Sequence, residues 1–331
     1  MIAGASNVGS LDAGINLLLL LEIAMKTELQ ESKSFEDFYN YYLALVKETV
    51  DRVTECISKS QIDRAQYNPL PMRTLLIDDC IDKQLDYNNG GARYKWSIIN
   101  FAGMINVIDS LLVIRDLVFG GKITACQLVE KLASNDKDFL CELRNHPVSF
   151  GKDDPDVNNF SKRLSSNIYS MLDDKKPAIG EVFLPSSIQF MSQVKAGEGI
   201  GATPDGREAH SPLCDSLGAI FAKDTKGPTA LLNSVTSLDL ERALGTPVLN
   251  FNINPDFKNE ILKALILGYM EQGGIQMQIT CISRELLEET YRNPEEHKNL
   301  VVRVGGYSEY FYRLSDELKR MVIERTIQNG V

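Results

Sequence analysis

The six cysteines, Cys56, Cys80, Cys126, Cys141, Cys214 and Cys281, form no C-x-x-C pair. That spacing excludes a zinc ribbon and a disulfide framework, and each cysteine is expected to be a reduced, buried small hydrophobe. The three histidines, His146, His210 and His297, lie far apart. With no partner at helical spacing they indicate neither a metal cage nor a Ser-His-Asp triad. Positive charge is also short: 35 Lys and Arg stand against 45 Asp and Glu, a net charge of -10. The averaged field repels phosphate backbones and anionic lipid, and no basic patch offsets it, so nucleic acid is excluded as a partner. No apolar run is long enough for a membrane. The longest, Ile15 to Met25, contains Glu22 and spans about half of the ~20 residues a bilayer requires. No basic flank precedes it and Asp12 stands ahead of it, unlike a secretory signal. These absences point to a cytoplasmic chain with no membrane partner.

What is present is a large apolar content, 44% of 331 residues, enough for a sizeable core. Residues 1–180 read as mainly helical. Asp12 is placed to cap a helix over Ile15 to Lys26. Ser34 is placed to cap a second one, with Asp37 at the third helical position and Phe38, Tyr42, Leu45 and Val46 at helical spacing. The proline-free stretch from Ser97 to Phe119 has the length of one core helix. Residues 181–331 are richer in strands. "EVFLPSSIQFMSQV", "TALLNSV", "PVLNFNI" and "GIQMQITCIS" are short β-branched runs between turn residues. In the last, Ile275, Met277, Ile279 and Cys281 alternate with Gln276, Gln278 and Thr280, predicting one apolar and one polar face. Helices are expected over Asn259 to Met270, over "SRELLEETYRN", and over "NPEEHKNL" with Asn293 as its cap. The fold class is therefore α/β, with helices outside a sheet or barrel. No repeat or linker divides the chain, which reads as one continuous unit.

Three glycine-rich segments invite functional readings. "GEGIGATPDG", Gly197 to Gly206, resembles a phosphate loop superficially, but "TPDGR" is turn chemistry rather than a helix start. "DYNNGGARY", Asp86 to Tyr94, is a turn with positive backbone dihedrals. Its residues Asn88, Asn89, Gly90, Gly91 and Arg93, with Asp205 and Arg207 of the former segment, are candidates for lining a site. "VVRVGGYSE", Val301 to Glu309, sets two glycines between a β-branched run and a tyrosine, and by itself a turn accounts for it.

Arg303-Val304-Gly305-Gly306-Tyr307, with the following "SEYFYRLSDELKRMVIERT", closely resembles the C-terminal signature of the glycyl radical enzymes, the pyruvate formate-lyase-like superfamily. "DYNNGGARY", "NVIDSLLVIRDLVF", "GATPDGR", "KGPTALLNSVTSLD", "GGIQMQ" and "RNPEEHKNLVVRV" resemble blocks of the same family in the same order. The resemblance implies a ten-stranded α/β barrel ringed by helices, of which this chain supplies the second half, with a glycine radical domain over about residues 210–331. It implies that Gly306 carries the radical, supported by Arg303, Val304, Gly305 and Tyr307. Glycine suits that chemistry because its α-carbon can flatten without a Cβ crowding the plane. The radical is then installed by an iron-sulfur activating enzyme that uses S-adenosylmethionine, with no cofactor bound by the chain itself. Gly306 is expected at the tip of a buried loop after a Val301 to Val304 strand, beside Tyr307 and under a Ser315 to Thr326 helix capped by Ser315.

The family also implies a thiyl cysteine in a G-C-x-E loop, shortly before a segment like "SLDAGINLLLLLE". Here that segment begins at Ser10 and no cysteine precedes Cys56. The expectation is a chain inactive by itself, with three open readings: a truncated frame, one half of a split enzyme, or a spare-part radical protein. Its partners would be the activating enzyme and either an N-terminal half or a second copy. "VRVGGYSEYF" and "IERT" resemble the dehydratase, lyase and decarboxylase branches more than pyruvate formate-lyase itself.

Overall fold

The computed structural model describes residues 10–188, 192–220, 223–304, 308–325 and 327–328. Strand β1 (Ser10–Asn16) runs directly into helix α1 (Leu17–Thr27). Asn16, not Asp12, caps that helix, its side-chain oxygen accepting from the Leu19 N–H at 3.2 Å. Asp12 lies at a bulge in β1 and pairs with Arg64. The expected helix start falls two residues early, because an apolar run that passes from the end of a strand into a buried helix carries no period to mark the boundary. Helix α2 (Phe35–Tyr67) is capped by Ser34 as its sequence predicts, and the short α3 (Pro71–Leu76) follows.

The same ambiguity divides Ser97 to Phe119. It is strand β2 (Ser97–Ala102), helix α4 (Met104–Ile114) and a π-turn over Arg115–Phe119. Gly103 makes the break at φ +80°, and an added Cβ would stand 3.4 Å from Leu18 and Leu213. Helices α5 (Ala125–Ala133), α6 (Lys137–Arg144) and α7 (Pro155–Tyr169) each begin on a side-chain cap, Thr124, Asp136 and Asp154. Strand β3 (Phe183–Ser186) and helix α8 (Ser192–Glu198) come next. "TALLNSV" was expected to be a strand and is helix α9 (Pro228–Thr236). The missed signal is Gly227-Pro228, which puts proline in the first helical turn. Strand β4 (Leu249–Ile253), helix α10 (Asn259–Glu271), strand β5 (Met277–Cys281) and helix α11 (Arg284–Arg292) complete the body of the fold. The "NPEEHKNL" helix does not form: the segment is a series of turns, and the Asn293 N–H closes α11 on the Glu289 carbonyl at 2.8 Å. The hairpin β6 (Val301–Arg303) and β7 (Ser308–Tyr310), helix α12 (Asp316–Glu324) and strand β8 (Ile327–Gln328) end the described chain.

The two three-stranded sheets are parallel, and only the β6–β7 hairpin is antiparallel among the described residues. β1, β2 and β3 pair in that order, and β4 lies between β5 and β8. A parallel bridge from Ser187, just past β3, to Pro247, just before β4, links the two sheets. Among the described residues β1 and β5 each have one strand neighbour. The architecture is α/β, parallel strands connected by helices, as the sequence pattern predicts.

One large core joins α1, α2, α4 and α7 to the strands, and every residue of α4 is buried. A separate small core, Ile282, Leu287, Val302, Val304, Phe311, Leu314, Leu318 and Val322, holds the C-terminal segment together. Two expectations about burial are corrected. Only Cys80 and Cys214 are buried, the other four cysteines being exposed. In β5 the polar Gln278 and Thr280 form the buried row, whereas Met277 and Ile279 are half-buried and Cys281 is exposed.

Candidate functional site

Helix α4 carries three buried polar residues, and they organise the loop that follows α8. Asn106 donates from Nδ2 to Asp205 at 2.6 Å and accepts the Cys214 N–H at 2.7 Å. The Ser110 hydroxyl accepts the Asp205 N–H. Asp109 accepts the Phe150 N–H at 2.8 Å and pairs with Lys223 at 3.3 Å. Burial pushes the Asp109 carboxyl up from its ordinary range, against the pull of Lys223. Arg207, 1% exposed, donates to the carbonyls of Ile200, Gly201, Glu208 and Ser211. Gly206 sits at φ +91°, where a Cβ would meet the Arg144 backbone nitrogen at 2.8 Å. The structure thus places Asp205 and Arg207 in a buried lattice that folds residues 200–214 onto α4. Cys214 belongs to it: burial pushes its thiol well up, and its Sγ donates to the Gly218 carbonyl at 2.8 Å. It is poorly suited to act as a thiolate.

The "DYNNGGARY" loop lies at the leading end of β2. Tyr87 is held between Arg73 and Lys95, which stand 4.8 and 4.9 Å from its ring centre. Asn88 donates to the Asn68 carbonyl at 2.6 Å, Gly90 takes φ +83°, and Arg93 pairs with Asp79 at 2.6 Å on the surface. Asn89 is exposed and Gly91 is buried. Burial and the neighbouring Arg64 charge lower Lys95 to about 8.

Gly305, Gly306 and Tyr307 lie outside the described residues, but the two strands that carry them do not. β6 pairs antiparallel with β7, Arg303 opposite Ser308. Val304 is fully buried. Arg325 reaches this root: its Nη1 donates to the Arg303 carbonyl at 2.7 Å and its Nη2 to the Val304 carbonyl at 3.0 Å. The same guanidinium is ion-paired with Asp215, whose two carboxylate oxygens each accept from Asn250 Nδ2 of β4 at 2.9 Å. Burial pushes the Asp215 carboxyl up, and Arg325, Asn250 and Ser216 pull it back. Nearby, Gln328 donates to Asp224 at 2.7 Å. Sequence reasoning missed Asp215, Asn250 and Arg325. The available signal was the alternation of asparagines in "LNFNI", a strand too apolar for polar residues without a task.

The face of β4 and β5 that carries Asn250 is polar throughout, because Asn250 pairs in register with Gln278 and Asn252 with Thr280. Asn252 is 3% exposed and neither of its amide atoms has a partner among the described residues; Thr280 is 8% exposed and its hydroxyl has none among them either. Buried groups of this kind cost about 1–3 kcal/mol each when unpaired, so a packed core excludes them and a site that receives a polar group retains them. Two grooves lie elsewhere. One, of about 590 Å³, runs between β1 and α2 and is lined by Leu11, Asp12, Arg52, Cys56 and Arg64. The other, of about 630 Å³, separates α8 from the C-terminal segment at Lys195, Glu198, Glu309, Arg313 and Leu318. Among the described residues no helix is long and apolar enough to cross a membrane.

Comparison with known proteins bears on this arrangement. Residues 9–197 match the family described as pyruvate formate lyase-like, and residues 219–312 match the glycine radical family. The chain is 26% identical to trans-4-hydroxy-L-proline dehydratase of Clostridioides difficile, over 96% of this chain and 42% of that protein. It is 27% identical to (2S)-3-sulfopropanediol dehydratase of Klebsiella oxytoca, over 90% of this chain and 38% of that protein. The glycerol-bound B12-independent glycerol dehydratase of Clostridium butyricum superposes with a TM-score of 0.88 at 29% identity, covering 96% of this chain and 43% of that one. The chain thus spans less than half the length of these relatives.

Proposed function

Because the chain belongs to the pyruvate formate lyase-like family and carries the glycine radical pattern, we propose that it stores a protein radical on Gly306 for a dehydratase or lyase reaction. The observation that carries this reading is the glycine radical match over residues 219–312, which contains Gly306, between β6 and β7 in the sequence. An activating enzyme that uses S-adenosylmethionine and an iron-sulfur cluster would remove one hydrogen atom from the Gly306 α-carbon. The remaining electron would spread into the flanking amide and carbonyl. A cysteine thiol would then give its hydrogen atom to that carbon, and the thiyl so formed would abstract one from substrate. Two relatives are named for dehydrating hydroxylated small molecules, which supports loss of a hydroxyl from a carbon beside the substrate radical. The cytoplasm of an anaerobic cell suits this chemistry, since dioxygen adds to carbon radicals.

The cysteine is proposed to come from a further N-terminal portion, on the same or a second polypeptide. The β1 and β5 edges and the groove beside β1 support that view: the five strands β1 to β5 would form half of a ten-stranded barrel, and a free parallel edge favours pairing. The 331 residues by themselves would then hold the radical without turning over substrate. After anaerobic activation, electron paramagnetic resonance should show a doublet from the one remaining α-hydrogen. Gly306→Ala should abolish it and Gly305→Ala should retain it. A doublet lost in Gly305→Ala but retained in Gly306→Ala would move the radical to Gly305, and a doublet retained in both would exclude this motif.

A further inference from the structure

Arg325 makes a contact that neither the family match nor the glycine motif assigns. Its guanidinium, 11% exposed, grips two consecutive backbone carbonyls, those of Arg303 and Val304, immediately before Gly305. Its Nη2, the nitrogen on the Val304 carbonyl, is also the one ion-paired with Asp215, and Asn250 holds both oxygens of Asp215. An unbroken chain of charge-assisted hydrogen bonds therefore runs from β4 to the carbonyls of Arg303 and Val304. We infer that Arg325, seated by Asp215, is the positioning residue of the glycine loop, setting where the α-carbon of Gly306 is presented to its hydrogen-transfer partner. The inference rests on the reading of Gly306 as the radical carbon.

The physical case is one of geometry. A planar fork that donates to two adjacent carbonyls fixes both translation and rotation of the peptide planes it holds, whereas one hydrogen bond leaves rotation free. After the glycines in sequence, β7 is registered against β6 by the Arg303–Ser308 pairing. The described residues on both sides of the glycine motif are thus held in place. Hydrogen-atom transfer depends steeply on the separation of the reacting atoms, and a displacement of about 1 Å costs on the order of a hundredfold in rate. A loop released at Val304 would lose that precision without losing its fold, because Val302, Phe311 and Leu314 keep it on the small core.

Hydrogen-deuterium exchange on the full 331-residue chain reads the clamp with no radical present. Arg325→Gln should speed exchange across Val301 to Phe311 by about tenfold or more, while α4 keeps its protection and so certifies the fold. Arg325→Lys, able to satisfy one carbonyl, should fall between. Asp215→Asn combined with Arg325→Gln should be no faster than Arg325→Gln alone, because the two act through one another. Should Arg325→Gln fail to fold, millimolar guanidinium added to Arg325→Ala should restore protection of the loop. In the activated protein, Arg325→Gln should release the C-terminal peptide in air faster than wild type. Unchanged loop exchange in Arg325→Gln, or additive effects in the double variant, would overturn the inference. A wild-type chain that gives no doublet would remove Gly306 as the radical carbon while the exchange result still judged the clamp.

Discussion

The body of the molecule and its C-terminal cap, residues 282–325, complete their polar groups in different ways. In the body, α4 buries eleven consecutive residues, and Asn106, Asp109 and Ser110 are each answered by a named partner in the loops around them. The cap encloses a small core of its own and meets the body through directional contacts: Arg325 with Asp215, and Gln193 with the Met321 sulfur. Beside that seam lie a groove and a row of buried polar groups that are not all answered. The difference separates a scaffold whose contacts are permanent from a segment set by a few contacts whose geometry matters more than their total strength. The radical centre proposed on Gly306 would need the second, placed accurately against the first.

The comparison breaks most visibly in the cores. Leu111→Ala in α4 should destabilise the whole chain by about 2–5 kcal/mol, read as a shift of the urea unfolding midpoint. Leu318→Ala in the cap should leave that midpoint near wild type and raise hydrogen exchange only over residues 282–325, as expected of a separately opening unit. Equal shifts of the midpoint for the two variants would erase the distinction between body and cap.

Asn252→Leu sharpens the comparison at the seam. Removing an amide with two unanswered atoms should raise stability by about 1–3 kcal/mol; a loss of stability would show that the polar face is already satisfied. The smallest effect is electrostatic and lies far from the cap. Burial lowers Lys95 from its ordinary 10.5 to about 8, so between those values the unfolded chain binds more protons and stability rises with pH. Below about pH 8 the cost of charging Lys95 in the fold is fully present. Lys95→Met should flatten the rise in urea midpoint between pH 8 and 10, and an unchanged slope would assign it to another group.

Helix caps were legible in part: the expected caps at Asp12 and Asn293 do not form, whereas two others do. Ser34 and Ser315 cap α2 and α12 as their spacing predicts, and Leu318 and Val322 face inward on the latter. Strand and helix were confused at β2 and α9, and their boundary was misplaced between β1 and α1, because short apolar runs carry no clear period there. The glycine motif was legible as a resemblance, although residues 305–307 lie outside the described structure. Its clamp was not, since Asp215, Asn250 and Arg325 are distant in sequence and no spacing rule joins them. Asp205 and Arg207 were singled out from turn chemistry, and the structure gives them a buried network that the motif alone could not reveal.

The account turns on which carbon holds the radical, and oxygen can report it directly. After anaerobic activation, the chain should be exposed to air and its fragments weighed by mass spectrometry. Storage of the radical on Gly306 predicts two products, a large fragment ending just before that carbon and a short peptide running from it to Val331. An intact chain after a demonstrated radical signal, or a cut mapped to any other residue, would contradict it.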